Sequence, residues 1–361
     1  MQLTNLTNLK KVFEHYWKLK HPLALWGKPS TGKTSMFRQF AQKKAEELKL
    51  KYSEDEYGPE FFTFKTIIPS QFDPVDFIGM MKEKDGITYF NPVSSFPRTG
   101  QGIFFIDEVS NADHTIIAPL QRLMLEGRLE NYKMPSTFWR VCAGNRSQDL
   151  CQTNELSLAF YRRVAHYDVE PTNDEVLTYF LEQGRDPRVI AYLRRFQEDL
   201  FPKKLDESLL ETKANPFPYT WEMSSQIING IKELHLIQDL VGSWVGPECA
   251  SRFCAFCKTT EKVNIEKIIA HPKESLLVLD KDPERPSLYF AIVSILATMW
   301  QSKNEKLKPE KVVELMLLFP PEFATFFLTL VIKNPARRVQ LTKQPSFDQL
   351  LLKLGYFLDE D

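Results

Sequence analysis

Gly27-Lys28-Pro29-Ser30-Thr31-Gly32-Lys33-Thr34 decides the reading of this chain. The stretch fits G-x-x-x-x-G-K-[ST], a loop whose glycines let backbone N–H groups converge on phosphate oxygens. Lys33 adds a cation for the β- and γ-phosphates, and Thr34 offers a hydroxyl to Mg²⁺. Leu23 to Trp26, just before the loop, read as a short buried strand. Met36, Phe37, Phe40, Ala41, Ala45 and Leu48 follow at helical spacing. Strand, loop and helix together are the context that the motif requires. The candidate nucleotide-binding residues are therefore Gly27, Lys28, Pro29, Ser30, Thr31, Gly32, Lys33, Thr34 and Ser35.

A second motif stands further along, Gly102-Ile103-Phe104-Phe105-Ile106-Asp107-Glu108. Its apolar run predicts a buried strand with two carboxylates at the C-terminal end. In a parallel α/β sheet that end faces the ligand crevice. Asp107 is then placed to hold Mg²⁺, directly or through water, and Glu108 to polarise a water for attack on the γ-phosphate. A third strand, Arg140 to Ala143, leads to Asn145, an amide placed to orient that water. Leu158 to Val164 put Arg162 and Arg163 after a short helix and before a strand over Ala165–Val169.

Composition narrows the class. The 46 basic against 47 acidic residues leave no overall footprint for nucleic acid or an anionic membrane. The longest apolar run, Leu288 to Trp300, is too short to span a bilayer, and the N-terminus lacks a signal-peptide core. The expectation is a cytoplasmic protein. Five cysteines argue against a disulfide framework in a chain of 361 residues. Cys249, Cys254 and Cys257 invite a zinc reading, with His271 as a distant fourth ligand. Small cysteines buried on a packed helix are the plainer account.

Alternating strands and helices up to about residue 170 predict a parallel sheet covered on both faces. Residues 1–20 read as an amphipathic linker helix, Phe61–Ile68 as a strand, and Lys82–Phe90 as a hairpin around Asp85-Gly86. Asn111 or Asp113 is placed to cap a helix that Gly127 ends. Beyond Pro171 the periodicity is helical: 176–181, 189–196, 221–236, 288–300, 312–318 and 323–332. The expected architecture is an α/β nucleotide-binding core at 1–170, a helical lid at 171–265 and a helical C-terminal extension at 266–361.

The combined pattern resembles the AAA+ ATPases, and their MoxR branch in particular. The pieces that carry this are His21 to Gly27, Asp73-Pro74-Val75-Asp76-Phe77-Ile78-Gly79 before the hairpin, Asp107-Glu108-Val109-Ser110-Asn111, Glu126-Gly127-Arg128, Ala143-Gly144-Asn145-Arg146, Pro187 to Leu193, and Pro320-Pro321-Glu322-Phe323-Ala324. The resemblance implies Lys33 and Thr34 as Walker A residues, Asp107 and Glu108 as the Walker B pair, and Asn145 as sensor 1. It implies Arg163 as an arginine finger, with Arg162 beside it as the alternative. Such a finger serves the neighbouring subunit's site, so a ring, usually a hexamer, is implied. The hairpin near Gly86 matches an insert of this branch that faces the pore or a client. The chain departs from the pattern at Tyr219, which stands where the lid's sensor 2 arginine is expected, and a phenol cannot replace a guanidinium at a γ-phosphate.

The resemblance further implies a Mg²⁺- and ATP-dependent ring ATPase that remodels a client protein, with a partner bearing a von Willebrand factor A domain on a separate chain. Two alternatives stay open. One is a scaffold assembled by ATP with little turnover, for which Tyr219 speaks. The other is a nucleic-acid motor of the same superfamily, against which the near-neutral charge counts.

Overall fold

The computed structural model describes residues 3–4, 6–91, 93–146, 156–201, 213–305, 307–332 and 334–355. The chain divides into two compact units, Met1–Pro171 and Thr172–Asp361.

The first unit is built on a parallel sheet. Its strands and leading helices are β1 (Leu3–Thr4), α1 (Leu6–Leu19), β2 (Leu23–Trp26), α2 (Lys33–Leu48), β3 (Lys51–Ser53) and β4 (Phe61–Ile67). There follow a short helix α3 (Pro74–Ile78), a hairpin of β5 (Met80–Lys84) and β6 (Ile87–Asn91), and β7 (Gln101–Ile106). Then come α4 (His114–Glu126), a second hairpin of β8 (Arg128–Leu129) and β9 (Tyr132–Lys133), β10 (Phe138–Gly144), α5 (Leu158–Tyr161) and β11 (Ala165–Val169). The seven sheet strands lie in the order β1-β11-β2-β10-β7-β4-β3, with every neighbouring pair parallel.

Alternation along the strands sorts the core into two layers. Leu23, Leu25, Ile103, Phe105, Trp139 and Val141 face one way and pack with Phe13 of α1 and Phe37 and Phe40 of α2. Ala24, Trp26, Phe104, Ile106, Phe138 and Cys142 face the other and meet Ile116, Leu120 and Leu123 of α4. Strands buried on both faces read as near-continuous apolar runs, such as Leu23–Trp26 and Ile103–Ile106, and that is why the sequence marks them clearly. Of the two candidate caps, Asp113 takes the role at α4, accepting from Thr115 N at 2.8 Å, and Gly127 closes the helix in the left-handed region at φ 67°.

The second unit is helical. Its first helices are α6 (Asn173–Glu182), opened by a capping box between Thr172 and Glu175, and α7 (Pro187–Arg195). Pro187, Pro218, Pro247, Pro272, Pro309, Pro321 and Pro335 each open a helix, where a missing N–H costs nothing. One expectation is corrected. The helix predicted over 221–236 is two helices, Pro218–Ile227 and Leu234–Val245. Gly230 lies between them at φ 79°, a left-handed conformation that ends a right-handed helix. Buried residues from Val176 to Leu351 form one hydrophobic core.

A half-buried ion pair, with Asp199 enclosed and Arg252 partly exposed, sits at the edge of this core. Asp199 receives two hydrogen bonds from Arg252, at 2.6 and 3.0 Å, and one from the Tyr192 hydroxyl, while its carbonyl accepts from Trp221 Nε1 at 2.7 Å. Cys249, Cys254 and Cys257 are buried on the helix Pro247–Thr260. Burial pushes the Cys249 thiol up to about 11 and the Cys257 thiol up to about 12. Cys151 lies outside the described residues. Among the described residues no helix is long and apolar enough to cross a membrane.

Candidate functional site

Parallel strands present their C-terminal ends at one edge, and the register decides what meets there. Gly144 of β10 pairs with Trp26 of β2, so Asn145 emerges beside Gly27. Cys142 pairs with Ile106 of β7, so Asp107 emerges next to the same strand. Three segments far apart in sequence thus deliver Gly27–Ser35, Asp107–Glu108 and Asn145 to one place.

Close packing at this edge needs two glycines. A Cβ on Gly27 would stand 2.7 Å from the Val169 carbonyl oxygen. A Cβ on Gly144 would stand 2.6 Å from the Trp26 ring. Gly32 enters α2 at φ 83°, and Thr31 Oγ1 ties the loop to the Lys28 carbonyl at 2.9 Å. The loop therefore ends at the N-terminus of a 16-residue helix, where unpaired N–H groups and the helix dipole favour an anion.

The Lys33 ammonium is buried. It donates to the carbonyls of Gly27 at 2.7 Å and Lys28 at 2.8 Å, and to Asn145 Oδ1 at 3.2 Å. Thr34 Oγ1 donates to Asp107 Oδ2 at 2.7 Å. A hydroxyl and a carboxylate at this separation are hard oxygen donors of the kind Mg²⁺ takes, and Mg²⁺ typically needs only one or two protein ligands beside phosphate and water. Cys142, in the sheet beneath, is fully buried, and burial, with Asp107 beside it, pushes its thiol up.

Glu108 follows with its backbone in the left-handed region, φ 51°, which for a residue with a Cβ costs about 1–2 kcal/mol. Its side chain is exposed, and its N–H donates to Asp107 Oδ1 at 3.0 Å. Asn111 Nδ2 donates to Glu108 Oε2 at 3.3 Å, and Ser110 Oγ accepts from Asn145 N at 3.3 Å. The turn after β7 thus anchors both the Glu108 carboxylate and the end of β10. From sequence Asn111 reads as a possible helix cap, and both it and Ser110 belong to the Asp107–Asn111 piece of the resemblance, which assigns neither of them a role. Their place directly behind the carboxylate pair is the clue.

Arg162 and Arg163 are not brought into this cluster. They follow α5, with exposed side chains that make no hydrogen bond or ion pair among the described residues. Tyr219 belongs to the second unit, half exposed, with its ring 6.3 Å from that of Trp244.

No protein-family model matches the chain, and no curated protein matches it. Among solved structures it is similar to NtrX from Brucella abortus in complex with ADP, at 12% identity over 97% of this chain and 68% of that one, with a TM-score of 0.36. It is similar to C. elegans PCH-2, at 13% identity over 80% and 66% of the two chains, with a TM-score of 0.27. It is also similar to the P216G mutant of RuvB from Thermotoga maritima, at 14% identity over 98% and 89%, with a TM-score of 0.32. Similarities at these scores carry no argument about the site, whose reading rests on its own geometry.

Proposed function

We propose that this chain is a Mg²⁺-dependent ATPase of the AAA+ class. The observation that carries the reading is the convergence of Lys33, Thr34, Asp107 and Asn145, joined by the 3.2 Å and 2.7 Å contacts, at the mouth of a glycine loop. A surface turn with a chance motif has no reason to recruit a buried ammonium, a carboxylate and an amide from three strands.

In this reading the N–H groups of residues 27–35 cradle the phosphates, and Lys33 turns from the loop carbonyls to the β- and γ-phosphate oxygens. Thr34 and Asp107 hold Mg²⁺, which when bound neutralises charge on the phosphate oxygens. Glu108 accepts the proton of the attacking water, and Asn145 orients that water. Arg163, or Arg162 beside it, reaches the γ-phosphate held by a neighbouring copy. Their exposure, with no ion-pair partner among the described residues, supports that assignment. It follows that the working form is a homo-oligomeric ring, for which we propose a hexamer.

The finer reading rests on the resemblance to the MoxR branch. There the work is remodelling of a protein client, with a von Willebrand factor A domain protein as partner, in the cytoplasm. The hairpin β5–β6 supports a client-facing role, because Met80, Met81 and Ile87 are about two-thirds exposed on it. We assign the residues after Pro171 to a lid and a C-terminal extension.

Steady-state phosphate release with Mg²⁺-ATP, wild type beside Glu108→Gln, tests the proposal. Turnover that rises cooperatively with protein concentration and vanishes in the variant is the expected result. ATP binding with no turnover in either protein, with or without added client, contradicts it and favours an ATP-assembled scaffold.

A further inference from the structure

Three aromatic residues join the phosphate loop's strand to the arginine turn. Trp26, the last residue of β2, donates its indole Nε1–H to His166 Nδ1 at 2.8 Å. The opposite ring nitrogen, His166 Nε2, lies 2.8 Å from the Tyr161 carbonyl oxygen. The indole and imidazole rings are 5.9 Å apart and within 28° of parallel, and the Tyr161 ring packs on both, at 6.1 and 5.5 Å. An indole N–H only donates and a carbonyl only accepts. Both contacts are satisfied by the tautomer with its proton on Nε2.

The carbonyl in question matters. Tyr161 ends α5, and the last carbonyls of a helix have no partner within it. The Leu158 and Phe160 carbonyls are taken by the N–H groups of Arg162 and Arg163, at 3.1 and 3.0 Å. The Tyr161 carbonyl is taken by His166, five residues on and already across on β11. The backbone between these anchors is the turn that carries Arg162 and Arg163. At the other end Trp26 is nearly enclosed and packs against Gly144, next to Asn145.

We propose that His166 is a positioning residue. It fixes the arginine turn to the strand that feeds the phosphate loop, and so sets where Arg163 points toward the neighbouring site. The inference rests on reading Arg163 as acting in a neighbouring copy. His166 touches neither nucleotide nor water and acts through the Tyr161 carbonyl.

Two substitutions separate the two ring nitrogens. His166→Gln keeps a donor near the Nε2 position, facing the Tyr161 carbonyl. His166→Asn keeps an acceptor near the Nδ1 position, facing Trp26, and loses the carbonyl contact. Both are compared with wild type, Arg162→Ala and Arg163→Ala for ATP affinity, kcat and melting temperature. The expected result is that His166→Asn binds ATP within about twofold of wild type yet loses on the order of tenfold in kcat, since misplaced groups cost rate more than binding. His166→Gln recovers most of that loss, and His166→Asn adds nothing in an Arg163→Ala background. Nitrogen-15 shifts of the wild-type imidazole place the proton on Nε2. Equal kcat for the Gln and Asn variants while Arg163→Ala is inactive, or a proton on Nδ1, overturns the inference alone. Normal turnover in both arginine variants overturns the trans-site reading, and the inference with it.

Discussion

Glu108 is where the chemistry and the strain of this molecule coincide. Its left-handed backbone is unfavourable for a residue with a side chain, yet that geometry aims its N–H at Asp107 and its carboxylate toward Asn111. On the proposed reading, replacing the carboxylate by an amide leaves the shape and the proposed Mg²⁺ ligands Thr34 and Asp107 intact while removing the proposed base. Glu108→Gln should therefore bind ATP with wild-type affinity and turn over at least a hundredfold more slowly, read by equilibrium binding beside phosphate release. Lys33→Ala removes the buried ammonium and should lower ATP affinity by roughly a hundredfold or more, the cost of a charge-assisted contact to phosphate lost from an enclosed site. Unchanged affinity in Lys33→Ala sinks the phosphate assignment. Much of this site was legible in sequence because its parts are contiguous motifs. The Lys33–Asn145 contact spans 112 residues, and the Trp26–His166 bond spans 140. No local spacing encodes either, since the strand order creates them.

At the scale of the element, the sheet does the positioning. β10 lies between the strand of the phosphate loop and the strand of the carboxylates, which is how Asn145 reaches both. Central strands such as β2, β7 and β10 announce themselves as apolar runs, and β11 by its place after the arginines. β1, β8 and β9 are two residues each, and β3 is three, too short for any period to show. The 221–236 stretch failed as one helix because its apolar spacing continues past the one glycine that breaks the backbone. Glycine also decides the pairing of β4 with β7. A Cβ on Gly102 would lie 1.9 Å from the Thr63 carbonyl oxygen. Gly102→Ala should force these strands apart and destabilise the first unit by about 3 kcal/mol, visible as a lowered denaturant midpoint. An unchanged midpoint contradicts the close approach.

The whole molecule is two units with different internal logic, a sheet that holds the site and a helical body with a single core. The helical body depends on Asp199, whose side chain is 4% exposed while that of Arg252 is 35% exposed. Asp199→Ala leaves the Tyr192 hydroxyl without its acceptor and leaves Arg252 with Glu248 as its remaining carboxylate partner. It should cost about 2 kcal/mol, less than breaking a fully enclosed pair because Arg252 still reaches water. A calorimetric transition that does not move would remove the network from the list of stabilising features. Assembly is the remaining proposal at this scale, and it rests on Arg162 and Arg163, whose exposed side chains make no ion pair among the described residues. The measurement that tests it most directly mixes two inactive proteins, Glu108→Gln and Arg163→Ala, and follows phosphate release. If each site is completed by its neighbour's Arg163, random mixing makes roughly one interface in four fully intact, and turnover returns. If the mixture stays as silent as its two components, sites are not shared in this way and the account of this chain as a ring ATPase is contradicted.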